Sequence, residues 1–163
     1  MLILNSAKYQ DILYEPGEKI DYLPKETGIP FIFEVSDDLT NDINAMNQVA
    51  LFLDDIDSFR EKALKYISLA SRNTTDLYHD EICSFLEMKR DNGYLPGIDS
   101  IKDFSLEEMV EHLWIVRFIS YKVDKSQVFV LYLGFGPDSS LFDEVLIVFF
   151  NTNKEVFLIS YEN

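Results

Sequence analysis

The sequence predicts an α+β domain, with three to four helices packed on an antiparallel sheet that ends in a C-terminal β-meander. Three observations predict it. No Gly or Pro interrupts the chain between Pro30 and Gly93, and apolar residues there recur at helical spacing. Residues 114–162 are instead dominated by β-branched and aromatic residues in short runs separated by turn residues. Finally, 163 residues that are 47% hydrophobic and 14% aromatic are enough for one sizeable core and too apolar for disorder. A single domain spanning residues 1–163 is expected.

Taken in order, residues 1–36 read as extended pieces joined by turns. Glu15-Pro16-Gly17-Glu18 is one turn, and Pro24 and Pro30 bracket another around Thr27-Gly28. Phe31 to Val35 is a strand. Ser36 or Asp37 caps a first helix, whose apolar stripe is Leu39, Ile43, Met46, Ala50 and Leu53. Asp54, Asp55 and Asp57 break that helix and recap the next, where negative charge suits the positive end of the dipole. The second helix carries Phe59, Ala63, Tyr66, Ile67 and Ala70. Asn73-Thr74-Thr75 ends it and caps a third, with Tyr78, Ile82, Phe85 and Leu86 on one side and Lys89 and Arg90 near its end.

Asp91-Asn92-Gly93 stops the third helix, and Tyr94 to Asp103 is loop around Pro96-Gly97. Ser105-Leu106-Glu107-Glu108 has the form of a capping box and opens a short helix through Leu113. Strands are expected over Trp114–Val123 and Gln127–Leu133, turning at Asp124-Lys125-Ser126. Gly134 to Asp138 is a longer loop. Val145–Phe150 and Val156–Tyr161 form a hairpin across Asn151-Thr152-Asn153-Lys154, whose Asn residues tolerate the left-handed conformation of a tight turn. Val145 to Phe150 is apolar on both faces, as a strand covered on both sides would be. The expected core includes Phe33, Leu53, Phe59, Ile67, Phe85, Trp114, Val148 and Phe157.

Charge limits the partners. Twenty-nine Asp and Glu face fourteen Lys and Arg, a formal net charge of -15. The excess is spread along the chain, with twelve acidic and four basic residues in 1–60 and seventeen and ten in 61–163. No basic block survives to grip nucleic-acid phosphates or an anionic membrane. Acidity of this kind keeps a protein dispersed, and it also steers a basic macromolecule toward it. The N-terminal stretch lacks the basic region and long apolar run of a signal peptide, and no apolar run approaches the ~20 residues that span a bilayer. A single cysteine, Cys83, allows no internal disulfide. A cytoplasmic location is the expectation.

No motif dictates a chemistry, and neither enzyme activity nor a cofactor is expected. His79 and Cys83 stand at i, i+4, a spacing that suits two metal ligands, but a structural zinc site needs four. A buried thiol beside a surface histidine accounts for the pair. Pairing Cys83 with His112 as a nucleophile would place a thiol in mid-helix, without a helix N-terminus to lower its pKa. No G-x-S-x-G elbow surrounds Ser140 or Ser160, and the loop at Gly134-Phe135-Gly136-Pro137 lacks the Lys-Ser/Thr of a phosphate cradle. The carboxylate runs Asp37/Asp38, Asp54/Asp55/Asp57 and Glu107/Glu108/Glu111 lack the Gly and distant Glu of a calcium loop.

The stretch FLDDIDSFREKALKYI, the segment from Leu106 to Leu113, and the closing FGPDSSLFDEVLIVFFNTNKEVFLISYEN together resemble families of small acidic bacterial proteins of unknown function. In these, an aspartate-containing lead-in precedes a two-stranded hairpin, as Asp143 to Phe149 and Val156 to Glu162 do here. Such families are similar in size, acidity and α+β build to the immunity proteins of bacterial toxin systems. The resemblance implies a binding protein that neutralises a basic toxin domain. The alternative is a regulatory or assembly module of the bacterial cytoplasm without catalytic activity. Carboxylates at helix ends are explained by capping, which leaves Asp138, Asp143 and Glu144 around the long loop as the contact face for a basic protein. Phe135 and Phe142 stand beside them as aromatic anchors.

Overall fold

The computed structural model describes residues 1–9, 11–22, 31–93, 95, 97–135 and 144–162. Among these residues four short strands come first: β1 (Leu2–Leu4), β2 (Ile12–Tyr14), β3 (Ile20–Tyr22) and β4 (Ile32–Val35). Five helices follow: α1 (Asp37–Thr40), α2 (Ile43–Asp54), α3 (Ile56–Arg72), α4 (His79–Asn92) and α5 (Leu106–Glu111). Strands β5 (Trp114–Val123), β6 (Ser126–Gly134), β7 (Val145–Phe150) and β8 (Val156–Glu162) come after the helices. The fold is α+β, with β1 and β2 in a two-stranded sheet and the rest in a six-stranded sheet of order β3-β4-β5-β6-β7-β8. The C-terminal four strands form the expected meander. The sheet is nevertheless mixed, because β4 pairs parallel to β5 while its other pairs are antiparallel. The whole helical segment lies between β4 and β5 and carries the chain back to the end at which β4 began, so the two strands run the same way.

Turn chemistry is local and largely follows the residues. Gly17 takes φ +83° behind Pro16, and the Glu18 N–H donates to the Glu15 carbonyl at 3.2 Å, a type II arrangement that requires positive φ at its third residue. Asp124 and Lys125 have φ +48° and +69°, so the β5–β6 hairpin turns on two residues of left-handed backbone, as the twist of the flanking strands demands. In the last hairpin the left-handed residue is Lys154 (φ +60°) and neither Asn. Asn151 serves instead as an acceptor, its side-chain oxygen taking the N–H groups of Asn153 and Glu155 at 3.0 and 3.1 Å. The expected turn around Thr27-Gly28 lies outside the described residues.

The first predicted helix is two helices. Asp42 interrupts it, because its carboxylate accepts the N–H groups of Asn44 and Ala45 at 3.0 and 3.2 Å and caps α2. The break shifts the phase of the stripe, and Ile43 is left 66% exposed while Phe52 is fully buried. At α5 the capping box forms as read, with Ser105 Oγ accepting from the Glu108 N–H at 3.1 Å and the Glu108 carboxylate accepting from the Ser105 N–H at 3.3 Å.

The main core lies between the helices and one face of the large sheet. Its centre is aromatic: the Phe52 ring stacks on Phe59, Phe129 and Phe118 at centroid distances of 4.0, 4.9 and 5.0 Å, with Phe150 edge-on at 5.6 Å. Phe33, Leu53, Phe59, Ile67, Phe85 and Val148 are buried as expected. Trp114 and Phe157 are not, at 58% and 47% exposed. Trp114 opens β5 at the end of the sheet, and the strand's interior positions pass to Ile115 and Phe118. The Arg60 guanidinium lies 4.4 Å from the Trp114 ring and donates to the Leu113 carbonyl. Phe157 is the extra residue of an irregularity opposite Phe149 and Phe150, which turns it off the core face.

The two-faced apolarity of β7 has its counterpart in the structure. Leu146, Val148 and Phe150 join the main core, while Val145 and Ile147 form a second cluster with Val128 and Val130 of β6. A buried polar bridge ties the sheet to α2. The Gln127 side-chain amide donates to Ser120 Oγ and to the Ala45 carbonyl, both at 3.1 Å, and Ser120 Oγ donates to the Val128 carbonyl.

Candidate functional site

Helix α4 and the edge strand β8 converge at their exposed sides. Asp80 and Glu81 sit in the first turn of α4, where the positive end of the helix dipole favours carboxylates. Ser84 and Met88 follow at intervals of four from Asp80, so all three share one face. Phe85 points inward and is 2% exposed. From the sheet side come Ser160 and Tyr161. Together these residues line an open groove of about 460 Å³.

The groove has an aromatic floor and acidic walls. The Tyr161 ring meets Phe85 edge-on at 5.6 Å. Beneath it Phe135 stacks on Phe85 at 6.0 Å with 12° between the ring planes. The Lys89 ammonium lies 5.7 Å from the Phe85 ring and 5.9 Å from the Phe135 ring, with its side chain buried. On the sheet side the Tyr161 hydroxyl donates to the Glu144 carboxylate at 3.4 Å. Burial raises the Tyr161 pKa, and the Glu144 charge raises it further, so the phenol stays protonated and acts as a donor. Glu162 follows directly, and Val145 is its partner across the ladder. Asp80 and Glu81 on the helix thus face the same groove that Glu144 flanks from the sheet.

Two of the five sequence-predicted contact residues meet here. Glu144 is half-buried at the sheet wall. Phe135 is 4% exposed and forms part of the aromatic floor, so its ring is core and not an exposed anchor. It is drawn inward because Phe85 and Lys89 offer it a stacking and cation–π surface. Asp138, Phe142 and Asp143 lie outside the described residues. The sequence reading missed Asp80, Glu81 and Tyr161. The signal was present in the i, i+4, i+8 set Asp80-Ser84-Met88, an exposed helical face ending in an apolar residue.

The cysteine and histidines make local contacts. His79 Nδ1 is 2.8 Å from the Ala70 carbonyl, which makes Nδ1 the protonated nitrogen. The Cys83 thiol donates to the Ser71 carbonyl at 3.4 Å and lies 3.8 Å from the His79 ring nitrogens. Burial pushes the Cys83 pKa up, as do the nearby charges of Glu87 and Asp80. A thiol so placed is a poor nucleophile. His112 stacks on Phe104 at 5.7 Å, at the end of α5. Among the described residues no group of three or more His, Cys, Asp or Glu is placed to hold a metal, and no helix is long and apolar enough to cross a membrane.

Compared with protein-family models, curated proteins and solved structures, the chain matches none.

Proposed function

We propose that this protein binds a basic protein partner through the groove between α4 and β8. The observation that carries the reading is the pairing of an aromatic floor, Phe85 and Tyr161, with carboxylates on both sides, Asp80 and Glu81 from the helix and Glu144 from the sheet. A lysine or arginine side chain has the complementary build. Its methylene stem covers an aromatic surface while its cation reaches carboxylates at the rim. A cation over an exposed or half-exposed ring contributes roughly 0.5–2 kcal/mol. The formal charge of -15 adds steering from a distance. With the resemblance to immunity-type proteins, the reading extends to an inhibitor that neutralises a basic toxin domain, working from the cytoplasm.

Affinity capture from the native host followed by mass spectrometry supplies the partner. Stopped-flow association at two salt concentrations then tests the site. Reversing Glu81 and Glu144 to Lys is expected to slow association about tenfold or more at low salt and to flatten its salt dependence. An on-rate indifferent to both the reversal and the salt overturns the reading.

A further inference from the structure

We propose that the partner's contacting segment is extended and basic and adds a strand to the free edge of β8. The inference rests on the basic-partner reading above and specifies how the partner is held. β8 is the last strand of the six-stranded order and pairs only with β7 among the described residues. Its outer edge therefore carries a row of N–H and C=O groups ready to pair, as edge strands do. The opposite edge, β3, is three residues long and too short to serve as a template.

Two of the usual protections, Pro and charge, are missing from the interior of β8, and the irregularity at Phe157 is a third that is present. No Pro and no charge occurs from Val156 to Tyr161. Leu158 and Tyr161 are 36% and 37% exposed. The irregularity at Phe157 confines clean alternation to residues 158–162, where Leu158, Ser160 and Glu162 take one face and Ile159 and Tyr161 the other. That second face is the one that meets α4. In an added strand every other side chain points to the same side as Tyr161, over the groove of about 460 Å³ whose helix wall holds Asp80 and Glu81.

Charge selects the occupant. Glu144, Glu155 and Glu162 lie at or beside the ends of the hairpin, and the chain as a whole is strongly acidic. A second copy would bring the same carboxylates against them, and like charges across strands are destabilising. A lysine- or arginine-bearing strand meets the complementary field. The irregularity at Phe157 confines regular pairing of such a strand to 158–162.

The probe that tests this is a capped nine-residue peptide of alternating Lys and Val, titrated against the isotope-labelled protein by NMR. Two further versions carry N-methyl groups on the odd or on the even amides. Only the peptide is altered, so the fold of the protein is not at stake. Binding is expected to weaken about tenfold or more for one methylated set and to stay within about twofold for the other, because only alternate amides face β8. Amide exchange at 158–162 should slow on binding. If both methylated sets bind like the parent, or exchange at 158–162 is unchanged, strand addition is overturned while the acidic-groove reading stands. Equal binding of a Glu/Val peptide, or no binding of the Lys/Val peptide at millimolar concentration, overturns both. Dimers of the free protein that the Lys/Val peptide cannot dissociate, detected by sedimentation, assign the edge to a second copy and overturn this inference alone.

Discussion

Asp42 shows how one side chain decides where an element begins. Its carboxylate caps α2 through the Asn44 and Ala45 N–H groups and pairs with Lys122 of β5 at 3.1 Å. The hydrogen bond from Ala45 is the main reason its pKa lies below the ordinary aspartate value, with Lys122 adding to it. A folded-state pKa below the unfolded one contributes stability above the unfolded value, near pH 4, and that contribution is lost as the pH falls through the folded value. Asp42→Asn keeps a capping acceptor and removes the charge. The variant is expected to be less stable than the parent at pH 7, and the difference should shrink as the pH falls below the ordinary aspartate value and through the lower folded one. Urea midpoints measured from neutral into acid pH check it, and a difference that does not shrink in acid counts against the charge.

At the scale of elements, packing and turns have separate roles. Phe52 joins α2 to α3 through Phe59 and to the sheet through Phe118, Phe129 and Phe150. Phe52→Ala removes the common member of five rings and should cost about 3–5 kcal/mol, read from chemical denaturation. A shift of under about 1 kcal/mol would mean that the cluster collapses to fill the space. The β5–β6 turn points the other way. Lys125 holds φ +69° in an exposed two-residue hairpin, a conformation that suits Gly far better than a residue with a Cβ. Lys125→Gly should therefore stabilise the protein by about 0.5–1 kcal/mol, seen as a higher thermal midpoint. A lower midpoint would show that the flexibility Gly adds to the unfolded chain outweighs the relief.

For the whole molecule, the formal charge of -15 opposes compaction, and in the function proposed above it also steers the basic partner. Of the ion pairs that offset it, Glu34 is held by both Arg117 and Lys19 and is the most buried carboxylate among them. The remaining repulsion acts through solvent and is screened over a Debye length of about 8 Å at physiological salt. The thermal midpoint is expected to rise as NaCl goes from about 10 to about 500 mM. A midpoint that falls with salt would mean that exposed ion pairs such as Arg72–Glu107 outweigh the net repulsion. The same experiment on Glu81→Lys/Glu144→Lys should give a smaller rise, since four units of charge have been removed.

The sequence by itself determined whatever rests on nearest neighbours. The Ser105 box, the Pro16-Gly17 turn, the stop at Gly93, the bounds of β5 and the pairing of β7 with β8 all follow from residues within a few positions of one another, as local hydrogen bonds and side-chain periodicity do. The sign of the charge and the α+β class follow from composition and pattern. Only the tertiary structure decided which apolar residues a distant element would cover. Trp114 stays out under the Arg60 guanidinium, Phe157 is turned off the core by one extra residue, and Phe135 goes in against Phe85 and Lys89. Nor could the chain show that β4 runs parallel to β5, or that Asp80 and Tyr161, eighty-one positions apart, line one groove. Hydrophobic burial is non-directional, and it says that such residues want cover without saying which partner supplies it. That choice is made when the helices dock on the sheet.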